Sequence, residues 1–291
     1  MASLTEALSF VRTQQNTDGG WGYRPGNSRT EPTAWALLAL AAASSREPPF
    51  EQGCEWLRRR QHPDGGWPPC EAVSESTWVT SLALLALAQG DAARKSFSAQ
   101  ERAVEWLLRH SGRETDWVER LRRRLLGGTP ADPREGVGWA WYPDTAAWVI
   151  PTCFAILALE RVLRQGPNTS FGERINERLR VGRKFLASRR CRDGGWNHGS
   201  SEALGYSSES YPETTGLALV ALDQVESAAL DIAERELKNC RSLQGAAWLQ
   251  LGLLAHARPH PDAAPPGRQN LADATLAVVT RAAFEGTNVL C

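Results

Sequence analysis

Carboxylates and indoles gather at a few short stretches of this 291-residue sequence. Glu31 precedes Pro32-Thr33, and Glu75 opens Glu75-Ser76-Thr77-Trp78. Asp144 follows Trp141-Tyr142-Pro143, and Glu209 and Glu213 bracket Ser210-Tyr211-Pro212. Trp35, Trp78, Trp141, Tyr142, Trp148 and Tyr211 stand among these acids. A carboxyl in apolar surroundings can act as a proton donor. Aromatic faces attract cations by about 1–2 kcal/mol each when desolvated, and they suit a flexible apolar chain. The same residues have a plainer use. A carboxylate at a helix start accepts free N–H groups and meets the positive end of the helix dipole, and aromatics fill cores or collar a partner. The residue types leave both uses open.

Other chemistries lack their residues. The cysteines 54, 70, 153, 191, 240 and 291 are scattered without a Cys-x-x-Cys pair. Of the histidines only His256 and His260 are close, and Pro259 breaks a shared helical face between them. A zinc site needs such ligands clustered, so neither a metal nor another cofactor is expected. Lys+Arg and Asp+Glu number 33 each, for zero formal charge. Nucleic-acid binding wants a basic excess, so no nucleic-acid partner is expected. Arg58–Arg60, Arg122–Arg124 and Arg189-Arg190 could grip a diphosphate or simply form solvated helix faces.

The elements that position these residues repeat. Asp18-Gly19-Gly20-Trp21 returns as Asp64-Gly65-Gly66-Trp67 and Asp193-Gly194-Gly195-Trp196, with a shortened copy at Gly138-Trp139. Each is followed by Thr-x-apolar-Ala-apolar-apolar-Ala-Leu, beginning at Thr33, Thr80, Thr152 and Thr215. Before each Gly-rich joint lies a segment with apolar residues three and four apart and Arg or Glu on the other face. These segments, Leu4–Gln15, Gly53–Arg60, Gln100–His110 and Arg178–Ser188, read as amphipathic helices. The Thr-led segments are apolar nearly all round and read as buried helices. A degenerate fifth pair is expected over Ala228–Cys240 and Leu243–Ala257, with a closing helix near Asn270–Phe284. An inserted helix is expected over Asp116–Leu126, and loops over Ala43–Phe50, Gly90–Ala99, Gly127–Gly136, Gly166–Gly172 and Arg258–Gln269. Helical hairpins must stack on neighbours to bury their faces. Inner helices apolar on every side predict an all-α fold, an α/α toroid, as one domain over residues 1–291.

Composition agrees, with 42% hydrophobic and 23% charged residues, ordinary values for a globular domain. The longest apolar runs are about ten residues, short of the roughly 20 that span a bilayer. No basic start followed by an apolar stretch is visible, so a cytoplasmic location with reduced thiols is expected.

Phe10-Val11 through Gln15-x-x-x-Gly19-x-Trp21, and Trp56-Leu57 through Gln61-x-x-x-Gly65-x-Trp67, resemble the QW repeats of squalene–hopene and oxidosqualene cyclases. The fourth copy departs from them, with Arg190 in the place of the Gln. The same toroid serves protein prenyltransferase β subunits and complement-type thioester domains. The resemblance implies that Trp21, Trp67, Trp139 and Trp196 tie helices together, and that chemistry occurs in a funnel lined by inner-helix N-termini. Class II terpene cyclases carry Asp-x-Asp-Asp-Thr-Ala, and matching Thr145-Ala146 leaves Asp144 as the surviving acid, with Pro143 where the proton donor stands. The expectation is an isoprenoid-handling protein resembling a small class II cyclase. Asp144 would be its acid, and Trp35, Trp78, Trp141, Tyr142, Trp148 and Tyr211 its substrate-binding aromatics. The alternatives are a non-catalytic isoprenoid- or lipid-binding toroid and a protein-interaction subunit. Because triterpene cyclases resemble two such domains, a partner subunit, a second copy or a membrane surface is expected to cap an open funnel. The zinc-binding Asp-x-Cys of the prenyltransferases and the thioester Gly-Cys-Gly-Glu-Gln are absent, as is a magnesium-binding Asp-Asp-x-x-Asp.

Overall fold

Six apolar helices form a closed inner ring in this computed structural model, which describes residues 4–45, 48–89, 95–112, 137–166, 169–199, 202–203, 206–258 and 270–291. In chain order the helices are α1 (Leu4–Thr13), α2 (Thr30–Ala42), α3 (Pro48–Arg60), α4 (Val79–Leu87), α5 (Phe97–Arg109), α6 (Val149–Arg164), α7 (Thr169–Ser188), α8 (Pro212–Ala221), α9 (Ser227–Asn239), α10 (Leu243–Ala255) and α11 (Leu271–Phe284). The ring runs α2–α4–α6–α8–α10–α11 and returns to α2. Outside it, α1 packs on α11 and α2, α3 on α2 and α4, α5 on α4, α7 on α6, and α9 on α8 and α10. The chain is an all-α toroid.

The two helix types follow their sequences. Inner helices such as Val79–Leu87 are buried on every side, so tertiary burial selects them. The outer helices bury one stripe, as Ala103, Val104, Trp106 and Leu107 show in α5. Close approach has its own device at α8 and α10. A Cβ on Gly216 would sit 2.2 Å from the Trp248 carbonyl carbon, and one on Gly252 would sit 2.7 Å from the Gly216 oxygen. Glycine lets these two backbones touch.

Three outer helices begin earlier than the sequence pattern suggests, at Pro48, Phe97 and Thr169. Proline is tolerated in a helix's first turn, where its missing N–H would be unpaired anyway, so Pro48-Pro49 opens α3. Parts of three expected loops are therefore helical. Two short antiparallel hairpins were not expected: β1 (Trp139–Ala140) with β2 (Ala147–Trp148), and β3 (Glu202–Ala203) with β4 (Tyr206–Ser207). The expected Asp116–Leu126 helix, Arg122–Arg124 and the 127–136 loop lie outside the described residues, as does most of the 258–269 loop. None of the helices described is long and apolar enough to cross a membrane.

Candidate functional site

The site is assembled by the Gly-Gly-Trp joints. In each, the indole is buried and its Nε1 donates to the outer helix: Trp21 to Val11 O at 2.7 Å, Trp67 to Leu57 O at 2.8 Å, and Trp196 to Leu186 O at 2.7 Å. The backbone N–H of the same Trp donates to the inner-helix Thr, at 2.9 Å for Trp21–Thr33, Trp67–Thr80 and Trp139–Thr152 and 3.0 Å for Trp196–Thr215. Gly19, Gly65 and Gly194 take positive φ, at 92°, 96° and 105°, where a side chain would be strained. Gln15 bonds Gly19 O and Pro49 O at 2.8 Å, and Gln61 bonds Gly65 O and Ala99 O at 2.8 Å, so each amide latches one hairpin to the next. In the fourth joint Arg190 ion-pairs with Glu226 at 2.8 Å instead. The motif Asp adds a second latch. Asp18 accepts from Trp56 Nε1 at 2.9 Å and Asp64 from Trp106 Nε1 at 3.2 Å.

Held this way, the N-terminal turns of the six inner helices surround a cavity of about 530 Å³. Its aromatic wall is continuous. Trp35, Phe154 and Trp248 meet pairwise edge-to-face at 5.8–5.9 Å, Trp78 lies 5.9 Å from Phe154, and Trp141 lies 4.8 Å from Trp78. Ile150, Leu217, Leu271 and Leu276 supply aliphatic surface. The polar groups facing the same space include Glu31, Glu213, His198 and Gln244.

Glu31, in the first turn of α2, accepts a short hydrogen bond from the Tyr23 hydroxyl. Burial pushes its pKa up, outweighing the lowering by that bond. Burial and the neighbouring carboxylate together push the Tyr23 phenol up as well. Glu213, in the first turn of α8, accepts from Ser242 Oγ at 2.9 Å. No group of three or more potential metal ligands occurs among the described residues.

Of the aromatics singled out in the sequence, Trp35, Trp78 and Trp141 line the cavity, whereas Tyr142, Trp148 and Tyr211 do not. Those three stand 42%, 37% and 51% exposed, on the segments leading into α6 and α8. Asp144 is exposed at the turn of the β1–β2 hairpin, with φ 63°, and does not line the cavity. It is no helix cap, since α6 starts only at Val149. Glu75 and Glu209 are likewise exposed. Phe154 and Trp248 went unmarked in the sequence because each reads as one more apolar residue of a buried helix. Glu31 and Glu213, whose use the residue types leave open, stand in first helical turns and also face the cavity.

Residues 1–77 match the family model described as squalene-hopene cyclase C-terminal domain. The chain is 41% identical over 68 residues to a drimenyl diphosphate synthase of Streptomyces showdoensis, a match covering 21% of this chain. That stretch is about 12% of the length of such curated relatives. Among solved structures, type II terpene cyclase MstE from Scytonema, in complex with geranylgeranyl dihydroxybenzoate, superposes with TM-score 0.52 at 19% identity, covering 97% of this chain and 77% of that one. An alpha-1,6-mannanase of Salegentibacter gives TM-score 0.63 at 11% identity, covering 97% and 98%. Both structural likenesses speak for the toroid alone.

Proposed function

We propose that the chain, an α/α toroid whose first 77 residues match the squalene-hopene cyclase C-terminal domain, binds an isoprenoid in the aromatic cavity and cyclises it by proton-initiated, class II chemistry. The observation that carries this reading is the five-ring wall of Trp35, Trp78, Trp141, Phe154 and Trp248 facing the half-buried carboxyl of Glu31. An apolar chain fits the wall, and aromatic faces would stabilise positive charge developing along it. In such a step a carboxyl O–H gives its proton to an alkene carbon or an epoxide oxygen. The new cation is attacked by a second alkene of the same chain, and the last cation formed loses a proton to a base or captures water.

Two carboxyls compete for the role of donor. Asp144 holds the position matching the family's acid motif, and Glu31 holds the place in the cavity. Glu31 is a weak acid by virtue of its burial, which suits an epoxide oxygen better than an unactivated alkene. The exposure of Asp144 favours a second reading, in which the toroid holds an isoprenoid without turning it over. Incubating the protein with squalene, oxidosqualene and prenyl diphosphates, with products read by mass spectrometry, separates them. Cyclised product that disappears in Glu31→Gln and persists in Asp144→Asn assigns the donor to Glu31. The opposite pattern assigns it to Asp144. No product from any substrate, with binding retained, leaves the carrier reading. A second subunit, another copy or a lipid surface closing the cavity mouth is part of this proposal, because an open funnel admits water to a cation.

A further inference from the structure

We propose that the polar end of the cavity receives the hydroxyl end of an uncharged prenyl chain and rejects a prenyl diphosphate, with Glu31 and Glu213 as the selecting residues. This rests on the isoprenoid reading above and narrows it to a ligand class. A diphosphate is normally gripped by Arg, Lys or a metal ion. Among the described lining residues there is no Arg or Lys, and the one group able to become cationic is His198, whose ring lies against Tyr211 at 5.2 Å. Arg29 is not among the lining residues; its guanidinium lies 5.9 Å from the ring of Tyr23, which borders the cavity and stands between the two.

Inner-helix N-termini could attract an anion by themselves; four of the six are already answered, and the starts of α4 and α6 carry neither a first-turn acid nor a side-chain cap bond. Glu31, Glu213 and Asp273 occupy the first turns of α2, α8 and α11. Ser242 accepts from Gly245 N at 3.1 Å at the start of α10, and Asn270 accepts from Asp273 N at 2.9 Å at the start of α11. A polyanion entering this end would meet carboxylates. A hydroxyl group would find acceptors in Glu31 and Glu213, and a donor where Glu31 carries its proton, as its raised pKa favours. The matched relatives include a diphosphate-producing enzyme, so the preference is not one that kinship alone supplies.

Trp35, Trp78, Trp141 and Trp248 in the wall provide the readout, as quenching of intrinsic fluorescence. The full chain is titrated with geranylgeraniol and with geranylgeranyl diphosphate, with and without magnesium. We expect the alcohol to bind at least about tenfold tighter, the size of effect that one like-charge contact at intermediate dielectric readily produces. In the Glu31→Gln/Glu213→Gln double variant the gap should narrow through a gain in diphosphate affinity, with circular dichroism verifying that the helices persist. Should that variant fail to fold, the wild-type ranking alone decides. Diphosphate binding equal to or tighter than the alcohol overturns this proposal and leaves the isoprenoid reading standing. No quenching by either prenyl probe overturns both, and quenching by mannotriose in their place assigns the cavity to sugars.

Discussion

At the scale of single residues, the Glu31–Tyr23 pair is where burial and chemistry conflict. The folded-state pKa of Glu31 is raised, so its proton is held more firmly folded than unfolded. A carboxyl shifted upward contributes stability that is complete below its unfolded pKa and disappears as pH climbs through the folded pKa. The charges facing it through Tyr23 include Arg29, which opposes the shift on the phenol without removing it. Glu31→Gln should therefore leave the melting temperature nearly unchanged at pH 4 and raise it by a few degrees at pH 8, since about 1 kcal/mol moves a mid-sized domain by roughly 2–4 °C. Thermal denaturation followed by circular dichroism at the two pH values measures this; a stabilisation larger at pH 4 would refute it. The residue scale was the least legible in the sequence. A Glu beside Pro at a helix start looks the same whether it caps the helix or turns into a cavity, and the difference lies in the ring of helices around it. Asp144 shows the converse, since its motif position was readable and its exposure on a hairpin was not.

At the scale of elements, the joint is the structural unit. The Trp backbone N–H is buried and its acceptor is a Thr hydroxyl on the next helix. Thr80→Val keeps the shape and removes the acceptor, leaving a buried donor unpaired at a cost of about 1–3 kcal/mol. Denaturant unfolding should show that loss for Thr80→Val and a change within about 0.5 kcal/mol for a surface control such as Glu75→Ala. Gly216→Ala tests the helix crossing. The added methyl would fall on the Trp248 backbone, and overpacking of a tight site costs about 1–3 kcal/mol or more. A Gly216→Ala protein as stable as wild type would show that α8 and α10 can separate freely. Elements were legible because each Gly-rich joint and its Trp is followed by a Thr-led apolar run, after 12, 13, 13 and 19 residues, an order that no local propensity would produce. Their starts were less so. Pro48-Pro49 and Gly172 look like loop punctuation, yet the first turn of a helix admits Pro, and packing outweighs the roughly 1 kcal/mol that Gly costs in a helix.

At the scale of the whole molecule, closure depends on α11. It seals the ring between α10 and α2 and supplies Leu271, Thr275 and Leu276 to the cavity. A chain ending at Arg258 would expose the inner faces of α2 and α10, and repeat architectures tolerate such losses only when the end helix carries a polar face. The truncated protein should lose its cooperative thermal transition and bind hydrophobic dyes. An undiminished melt would mean that the other five inner helices close by themselves. Closure was readable from inner helices apolar on all sides. The shape of the space inside was not, because a cavity is what several elements fail to fill, and no segment records that on its own.

The latches between hairpins are unequal around this ring. The first two joints are each fixed by a half-buried Gln amide and a carboxylate–indole bond. In the fourth the Gln latch is replaced by an ion pair to the exposed Glu226, a kind of contact worth about 0–1 kcal/mol, and the motif Asp193 accepts from Ser210 instead of an indole. Opening of the native protein will then be polarised along the chain. Amides of α8, α9 and α10 should exchange with deuterium well before those of α2 and α4, by sub-global excursions that leave the first two hairpins closed. Since Glu213, Leu217, Gln244 and Trp248 stand on the yielding side, the slow breathing of the C-terminal half sets how often the aromatic chamber gains a way in from the side.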